Sequence, residues 1–206
     1  MKRRPIKWVR GADRLVDLVI CDFDGVMTDN RVLLLEDGRE AVFCSRSDGL
    51  AVDMMRHAQL SVVILSTEHN PVVSARAAKL GVPVIQAVED KAATVKRYCR
   101  KRGVALARTL FVGNDLNDLA ALRSVGIAVC PADAHPDVRA ACSVILETPG
   151  GAGVVRELVE HVLDIRFDGP RRSSGRSYRG RAGTRPKRAS TKPTTTVDHP
   201  RGPTKR

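Results

Sequence analysis

The feature that most constrains the fold is the alternation of short apolar runs with helical patterns between residues 16 and 164. The apolar runs are rich in β-branched residues, as in SVVIL (61–65). The segment after that run begins with Pro71 and ends near Leu80-Gly81, and proline at the start with glycine past the end is typical of a helix. Repeated strand–helix units form a mostly parallel sheet. The sequence therefore predicts an α/β, doubly wound, Rossmann-like fold.

The predicted elements cover the chain from residue 15 to residue 164. In order they are strand 15–21, an extended pair 31–43 that turns at Asp37-Gly38, helix 48–57, strand 61–65, helix 71–80, strand 82–86, helix 90–102, strand 109–113, helix 116–124, strand 126–130, a short helix after Pro136, strand 143–146 and helix 152–164. The turn signal in 31–43 predicts a small β-hairpin insert. Because the hairpin closely follows the first strand, we expect it to project over the carboxyl end of that strand.

The charge of the 206-residue chain is unevenly distributed, although its length and 43% hydrophobic content suit one domain. The formal net charge is +12, and residues 166–206 hold 13 Lys and Arg against Asp168 and Asp198. This segment is rich in Gly, Pro, Ser, Thr and Arg, which predicts a disordered tail. A basic tail favours a solubilising extension with weak nonspecific contacts, and nucleic acid is a possible anionic partner. We therefore expect an N-terminal extension (1–14), a folded domain (15–165) and a basic tail (166–206).

The five cysteines form no CxxC pair and mostly lie in apolar runs, as expected for reduced core residues. The basic N-terminus is not followed by an apolar stretch of signal-peptide length, and no segment approaches the ~20 apolar residues of a membrane-spanning helix. These observations predict a cytoplasmic protein without a membrane segment.

The segment CDFDGVMTD (21–29) places two carboxylates, Asp22 and Asp24, in the turn that leaves a buried strand. Gly25 allows the backbone to come close to a ligand. Further polar residues follow two later strands, at Ser66 and at Asn114. In open α/β sheets, ligands bind at the carboxyl ends of the strands. The sequence therefore predicts one polar site at this edge of the sheet.

These motifs resemble those of the haloacid dehalogenase superfamily of hydrolases. DFDGVMTD is similar to the first family motif, Ser66 stands at the second, Lys91 in VEDKAA at the third, and FVGNDLNDLAAL (111–122) at the acidic fourth. The resemblance covers roughly residues 15–164 and is strongest to a small branch without a cap domain, which includes phosphatases of octulosonate 8-phosphates and of sialic-acid-type 9-phosphates. It implies a magnesium-dependent phosphatase of that fold, without a cap.

The resemblance also implies a role for each motif. Asp22 would be the nucleophile that forms an aspartyl phosphate, and Asp24 the general acid and base. Ser66, Thr67 and Lys91 would bind the phosphate.

Mg²⁺ would be bound by Asp22, by the main-chain carbonyl of Asp24 and by the fourth motif. Many relatives have Asp where this chain has Asn114, so either Asn114 or the following Asp115 completes the metal site.

Three further residues are candidates for substrate binding. Glu68 stands where octulosonate phosphatases usually have Arg and where sialic-acid-type relatives can have Glu, which favours a nine-carbon sugar acid phosphate. The alternative is that Glu68 only provides a favourable acid near a helix start. Arg46 and Asp48 follow the hairpin and could reach a substrate carboxylate, whereas His135 is expected to be structural.

Two other functions are possible from the sequence. Phosphatase-like domains that accompany acylneuraminate cytidylyltransferases can serve as non-catalytic oligomerising modules, and the basic tail could make this a nucleic-acid-associated protein. Few aromatic residues are available to stack on bases, which weakens the second alternative. By resemblance, the open site of a phosphatase without a cap implies a homo-oligomer, expected to be a tetramer, in which a neighbouring subunit covers the site.

Overall fold

The computed structural model describes residues 15–167. The predicted N-terminal extension, and residues 168–206 of the predicted basic tail, lie outside the described residues. The strands are β1 (Leu18–Cys21), β2 (Leu33–Leu34), β3 (Glu40–Ala41), β4 (Ser61–Leu65), β5 (Val84–Ile85), β6 (Thr109–Val112), β7 (Ile127–Cys130) and β8 (Val144–Ile145). The helices are α1 (Arg46–His57), α2 (Pro71–Leu80), α3 (Lys91–Arg102), α4 (Leu119–Leu122), α5 (Pro136–Ala141) and α6 (Val154–Glu157). Short 3₁₀ turns at Leu106–Arg108 and Leu116–Asp118 precede β6 and α4, and a π-helical turn, Leu158–Val162, continues α6.

Six of the strands form one parallel sheet with the spatial order β5-β4-β1-β6-β7-β8. The chain builds one half of the sheet outward from β1 through β4 to β5, and the other half from β6 to β8. This arrangement confirms the predicted doubly wound α/β fold. The order reverses beside β1, and the crevice at the carboxyl ends of the strands there is where ligands bind in such folds.

Both faces of the sheet are covered, and β1 contributes to the core on each side. Val19 and Cys21 pack into a cluster that includes α1 and α6, whereas Leu18 and Ile20 pack into one that includes α3 and α4. All four residues of β1 are buried. Its sequence is therefore a continuous apolar run and does not alternate between apolar and polar residues. Such a strand gives a rigid base to the loop that follows it.

Local signals explain where the helices begin and end. The side chain of Asn70 accepts a hydrogen bond from the N–H of Val72 (3.0 Å), and Gly81 ends α2 with φ of +64°, as expected for a capped helix. Helix α1 begins two residues before the predicted start because Ser45 caps it by accepting from the N–H of Ser47 (3.2 Å).

The hairpin is much shorter than the predicted 31–43, since β2 and β3 contain only two residues each. Within residues 15–167 no third strand lies beside the pair, and an isolated two-stranded hairpin is only marginally stable. Its large apolar side chains are exposed, with Leu34 at 65% and Phe43 at 78%. Asn70, before α2, donates to the Glu40 carboxylate in β3 (2.6 Å), so the hairpin is tied to the loop after β4.

Two further findings concern the predicted class of protein. None of the five cysteines forms a disulfide, and four of them are buried. Within residues 15–167, no helix is both long and apolar enough to cross a membrane.

Candidate active site

Polar residues follow three neighbouring strands at the carboxyl edge of the sheet. Asp22 directly follows β1, while Ser66 and Asn114 follow β4 and β6, the two strands that flank β1. The N–H of Asp22 donates to the carbonyl of Val112 (2.9 Å), which extends the β1–β6 pairing to the first site residue. The sheet therefore brings these three positions to one edge.

Lys91, the first residue of α3, forms a buried ion pair with Asp22. Its Nζ lies 2.9 Å from Asp22 Oδ1 and 2.7 Å from Asp118 Oδ1. Lys91, Asp22 and Asp118 are 3%, 5% and 0% exposed. The second oxygen of Asp118 accepts hydrogen bonds from the main-chain N–H groups of Asn114 (2.9 Å) and Asp115 (3.3 Å). One ammonium group thus joins the loop after β1 to the loop after β6.

Burial and the neighbouring opposite charge have opposing effects on the pKa values of Asp22 and Lys91. Burial raises the pKa of Asp22 to about 8, with a further increase from Asp118, while Lys91 acts in the opposite direction. Burial lowers the pKa of Lys91, but the two carboxylates outweigh it and raise the pKa above its ordinary value. Lys91 is therefore a cation that favours the charged form of Asp22.

Asp24 lies two residues further on, half-buried, in a turn that Thr28 orders. The hydroxyl of Thr28 donates to Asp24 Oδ1 (3.3 Å) and accepts from the N–H groups of Gly25 (3.2 Å) and Asn30 (3.3 Å). Burial raises the pKa of Asp24, and the charge of Glu68 also raises it, while the Thr28 hydrogen bond lowers it. A raised pKa is what a carboxyl group needs to donate a proton near neutral pH.

Asn114 and Asp115, the two candidates for the last metal ligand, lie in different surroundings. Asn114 is buried, its Oδ1 meets no hydrogen-bond donor within residues 15–167, and a Cβ on Gly25 would lie 2.0 Å from its Nδ2. Asp115 is exposed, and its Oδ1 accepts from the N–H of Leu116 (2.7 Å). The unpartnered amide oxygen is therefore available to a cation, whereas the Asp115 carboxylate caps a helical turn.

The oxygen atoms at this edge of the sheet are suitable ligands for magnesium. Residues 15–167 contain no group of three or more His, Cys, Asp or Glu arranged to hold a metal. A cation here would need amide or main-chain oxygens besides the carboxylate of Asp22, and the Asn114 oxygen and the Asp24 carbonyl are of that kind. Mg²⁺ prefers an all-oxygen set and usually keeps several waters.

The residues after β4 lie at the same edge of the sheet as Asp22 and Asn114. Ser66 is 1% exposed, and its Oγ accepts from the N–H of Glu68 (3.0 Å). Thr67 is partly buried and Glu68 is exposed. Glu68 and Asp24 line one cavity of about 270 Å³ under the hairpin.

The remaining candidates are not joined to Asp22. Arg46 is exposed in the first turn of α1. Asp48 is 1% exposed, and its carboxylate accepts from the N–H of Arg156 (3.0 Å), at the start of α6. His135 caps α5 by accepting from the N–H of Asp137 (3.2 Å), in agreement with its expected structural role.

Asp118 is the main site residue that the sequence analysis did not single out. It lies within FVGNDLNDLAAL, where the acidic run drew attention to Asn114 and Asp115 alone. Its partner Lys91 is 27 residues away in the sequence, so no local pattern indicates the pair. The one available signal is a second Asp on the same helical turn as Asp115.

Comparisons with known proteins identify relatives of the same kind. Residues 53–158 match the family model of haloacid dehalogenase-like hydrolases. The 3-deoxy-D-manno-octulosonate 8-phosphate phosphatase of Haemophilus influenzae is 30% identical over 149 residues, which is 72% of this chain and 83% of the relative.

Solved structures similar to this chain include proteins of the same family. A protein described as a HAD family hydrolase, from Streptomyces avermitilis, has 46% identity and a TM-score of 0.69 over 70% of this chain and 83% of its own. A 3-deoxy-D-manno-octulosonate 8-phosphate phosphatase from Moraxella catarrhalis, solved with magnesium, phosphate and the octulosonate KDO, has 27% identity and a TM-score of 0.71, covering 74% and 88%.

Proposed function

This chain belongs to the haloacid dehalogenase-like hydrolases, and on that premise we propose that it is a magnesium-dependent phosphatase that hydrolyses a sugar phosphate through an aspartyl phosphate. The observation that carries the proposal is the buried Asp22 carboxylate, held 2.9 Å from Lys91 and two residues before the half-buried Asp24. A nucleophile and an acid–base group thus lie in one turn at the ligand-binding edge of the sheet.

Asp22 and Asp24 divide the chemistry between them. An Asp22 oxygen attacks phosphorus, the bond to the leaving oxygen breaks, and Asp24 donates its proton to that oxygen. Asp24, now a carboxylate, takes a proton from water as the water oxygen attacks phosphorus of the aspartyl phosphate. Inorganic phosphate leaves, and Asp22 and Asp24 return to their starting states. This is covalent catalysis with one group that acts as acid and then as base.

Other residues would bind the phosphoryl group. Lys91 supplies a fixed positive charge beside Asp22, and Ser66 and Thr67 supply hydroxyl groups at the end of β4. Charge stabilisation of this kind accounts for most of the catalysis in phosphoryl transfer. Asp118 would position Lys91, because it binds the same ammonium group that contacts Asp22.

Magnesium would be held by Asp22, by the main-chain carbonyl of Asp24 and by the Asn114 amide oxygen. When bound, the ion offsets the repulsion between an anionic nucleophile and an anionic phosphate. The unpartnered Asn114 oxygen supports this assignment over Asp115. The magnesium present in the Moraxella catarrhalis relative supports the choice of metal.

A sugar acid phosphate is the proposed substrate class. Two of the relatives named above, from Haemophilus influenzae and Moraxella catarrhalis, are described as phosphatases of an octulosonate 8-phosphate. Glu68, in place of the Arg usual in octulosonate phosphatases, favours a nine-carbon 9-phosphate over an eight-carbon 8-phosphate. Arg46 is a candidate to bind the substrate carboxylate. The predicted role of Asp48 in substrate binding is less favoured, because its carboxylate already accepts a hydrogen bond from α6.

We also propose that the protein assembles as a homo-oligomer, and by resemblance as a tetramer. The hairpin supports this proposal, since Leu33, Leu34 and Phe43 expose large apolar surfaces beside the site. A neighbouring subunit that covers them would also close the open cavity.

The proposal is tested with p-nitrophenyl phosphate. We expect phosphate release that requires Mg²⁺ and that is lost in Asp22→Asn, because the neutral amide cannot attack phosphorus at a useful rate. Circular dichroism of the variant controls for its fold. Absence of Mg²⁺-dependent turnover in the folded wild type would instead support the non-catalytic module.

A further inference from the structure

A cavity of about 270 Å³ lies next to Asp24 under the hairpin, and Lys91 is not one of the residues that line it. Four valines form its apolar walls: Val32 and Val42 from the hairpin, and Val72 and Val73 from α2. Its polar groups are Asp24, Glu40, Glu68, Asn30, Asn70 and Arg31. If Asp24 protonates the leaving oxygen, this cavity receives the part of the substrate that directly follows that oxygen.

Hydrogen-bond acceptors dominate the polar lining. Glu40 accepts a hydrogen bond from Asn70 (2.6 Å), and the side chain of Glu68 forms no hydrogen bond or ion pair within residues 15–167. Carboxylates accept and do not donate. The two glutamates therefore require a ligand that donates hydrogen bonds.

The only basic residue that lines the cavity, within residues 15–167, is Arg31. Its Nε and Nη2 already donate to Asp29 Oδ2 at 2.8 and 2.6 Å. Asp29 neutralises that guanidinium. With Asp24, Glu40 and Glu68 lining the same cavity, a second anion placed here would be repelled by three carboxylates.

We propose that the cavity is a subsite for hydrogen-bond donors, in which Glu40 and Glu68 select a hydroxyl or ammonium group on the first carbons after the phosphate and exclude a carboxylate there. This inference rests on the proposed phosphatase function. It deepens that function by assigning Glu40, on the hairpin, as a specificity residue.

This subsite limits the orientations in which a sugar acid phosphate can bind. The phosphate must be remote from the acid, so that a chain of hydroxyl-bearing carbons occupies the cavity. The substrate carboxylate then lies outside the cavity, beyond the valine walls. Phosphates that carry the acid within three carbons are excluded as good substrates.

A matched series of three-carbon phosphates tests the proposal directly. Glycerol 3-phosphate, 3-phosphoglycerate and 3-amino-2-hydroxypropyl phosphate differ only in the terminal group, which is neutral, anionic or cationic. We expect kcat/KM, or affinity as a competitive inhibitor of p-nitrophenyl phosphate hydrolysis, to fall in the order amine, alcohol, acid. One charge-assisted contact changes such a ratio by about tenfold or more, so amine and acid should differ by at least that factor.

Glu40→Gln and Glu68→Gln should each reduce the amine-to-acid ratio severalfold. Glutamine keeps a carbonyl oxygen that can accept from Asn70, so Glu40→Gln removes the charge and retains the tie of the hairpin to α2. Glu36→Gln is the matched control, because Glu36 is exposed in the same hairpin and does not line the cavity. It should leave the ratio unchanged.

The outcomes are distinguishable. If p-nitrophenyl phosphate is hydrolysed but the three compounds have equal ratios, or the acid is preferred, the subsite is wrong while the phosphatase function stands. A ratio that Glu40→Gln and Glu36→Gln change equally would also overturn the role of Glu40. If no phosphate ester is hydrolysed, the proposed function fails and the subsite falls with it.

Discussion

Replacing Lys91 with Met tests whether one ammonium group holds the site together. The change keeps a long side chain in α3 but removes the positive charge that lies within 3 Å of both Asp22 and Asp118. Two buried carboxylates then remain beside each other without a cation.

The expected cost is large because the group is inaccessible to water. Lys91, Asp22 and Asp118 are all at most 5% exposed, and removing one partner of a buried ion pair costs about 3–5 kcal/mol. Removing Asp118 as well should recover about 1 kcal/mol or more, since residues in one network are energetically coupled. The double variant Lys91→Met/Asp118→Asn should therefore be more stable than the single variant.

Urea unfolding at pH 7.5 measures the free energy of unfolding of each variant. EDTA is included because the chelator excludes a contribution from bound metal. Lys96→Met is the matched control on an exposed position of the same helix, and it should change the free energy of unfolding by no more than about 0.5 kcal/mol. The reasoning is refuted if Lys91→Met unfolds within that margin of the control. It is also refuted if the double variant is less stable than the single one.

Three further changes test other parts of the structure. Burial raises the pKa of Asp48 to about 6 in the folded state, above the ordinary value near 3.8, so the folded state gains stability below pH 4 and loses it as pH rises to 6. The difference in unfolding free energy between Asp48→Asn and wild type should thus shift by up to about 3 kcal/mol across that window, and parallel curves would contradict this. Asn114→Asp should lower the Mg²⁺ concentration for half-maximal activity by about tenfold, since a carboxylate binds Mg²⁺ more strongly than an amide, whereas Asp115→Asn should change it little; equal effects would contradict the metal assignment. Gly25→Ala should lower the Tm by several degrees and abolish turnover, because φ is +76° and the new Cβ would lie 2.0 Å from Asn114; an unchanged Tm would contradict the close approach.

Elements with strong local signals were predictable from the sequence. Strand β4 and helix α2 occur at the predicted residues. Pro71 and Gly81 mark the ends of the helix, and β4 contains three consecutive β-branched residues. The hairpin and the last helix are shorter than predicted. Helix α6 begins only after Gly153, which has φ of +112°. In the part of the chain that the structure describes, the hairpin has no neighbouring strand to extend it.

Only the site residues that belong to sequence motifs were predictable from the sequence. Asp22, Asp24 and Ser66 follow strands, and a parallel sheet brings such positions to one edge. The choice between Asn114 and Asp115 depends on which side chain is buried, and adjacent residues in a sequence do not reveal that. The contact of Asp48 with Arg156 spans 108 positions, so its local surroundings in the sequence gave no indication of it.

The most direct test of the central claim is to trap a phosphoryl group on Asp22. Asp24→Asn should slow hydrolysis of the aspartyl phosphate, because the residue that activates water is lost, whereas p-nitrophenolate is a good enough leaving group to depart without a proton donor. Acid quenching of this variant during turnover of radiolabelled p-nitrophenyl phosphate with Mg²⁺, followed by peptide mapping, should locate the label on Asp22. The label should be absent from Asp22→Asn/Asp24→Asn. Phosphate release from the wild type together with no labelled protein at any time in the variant, or a label on another residue, would contradict the account.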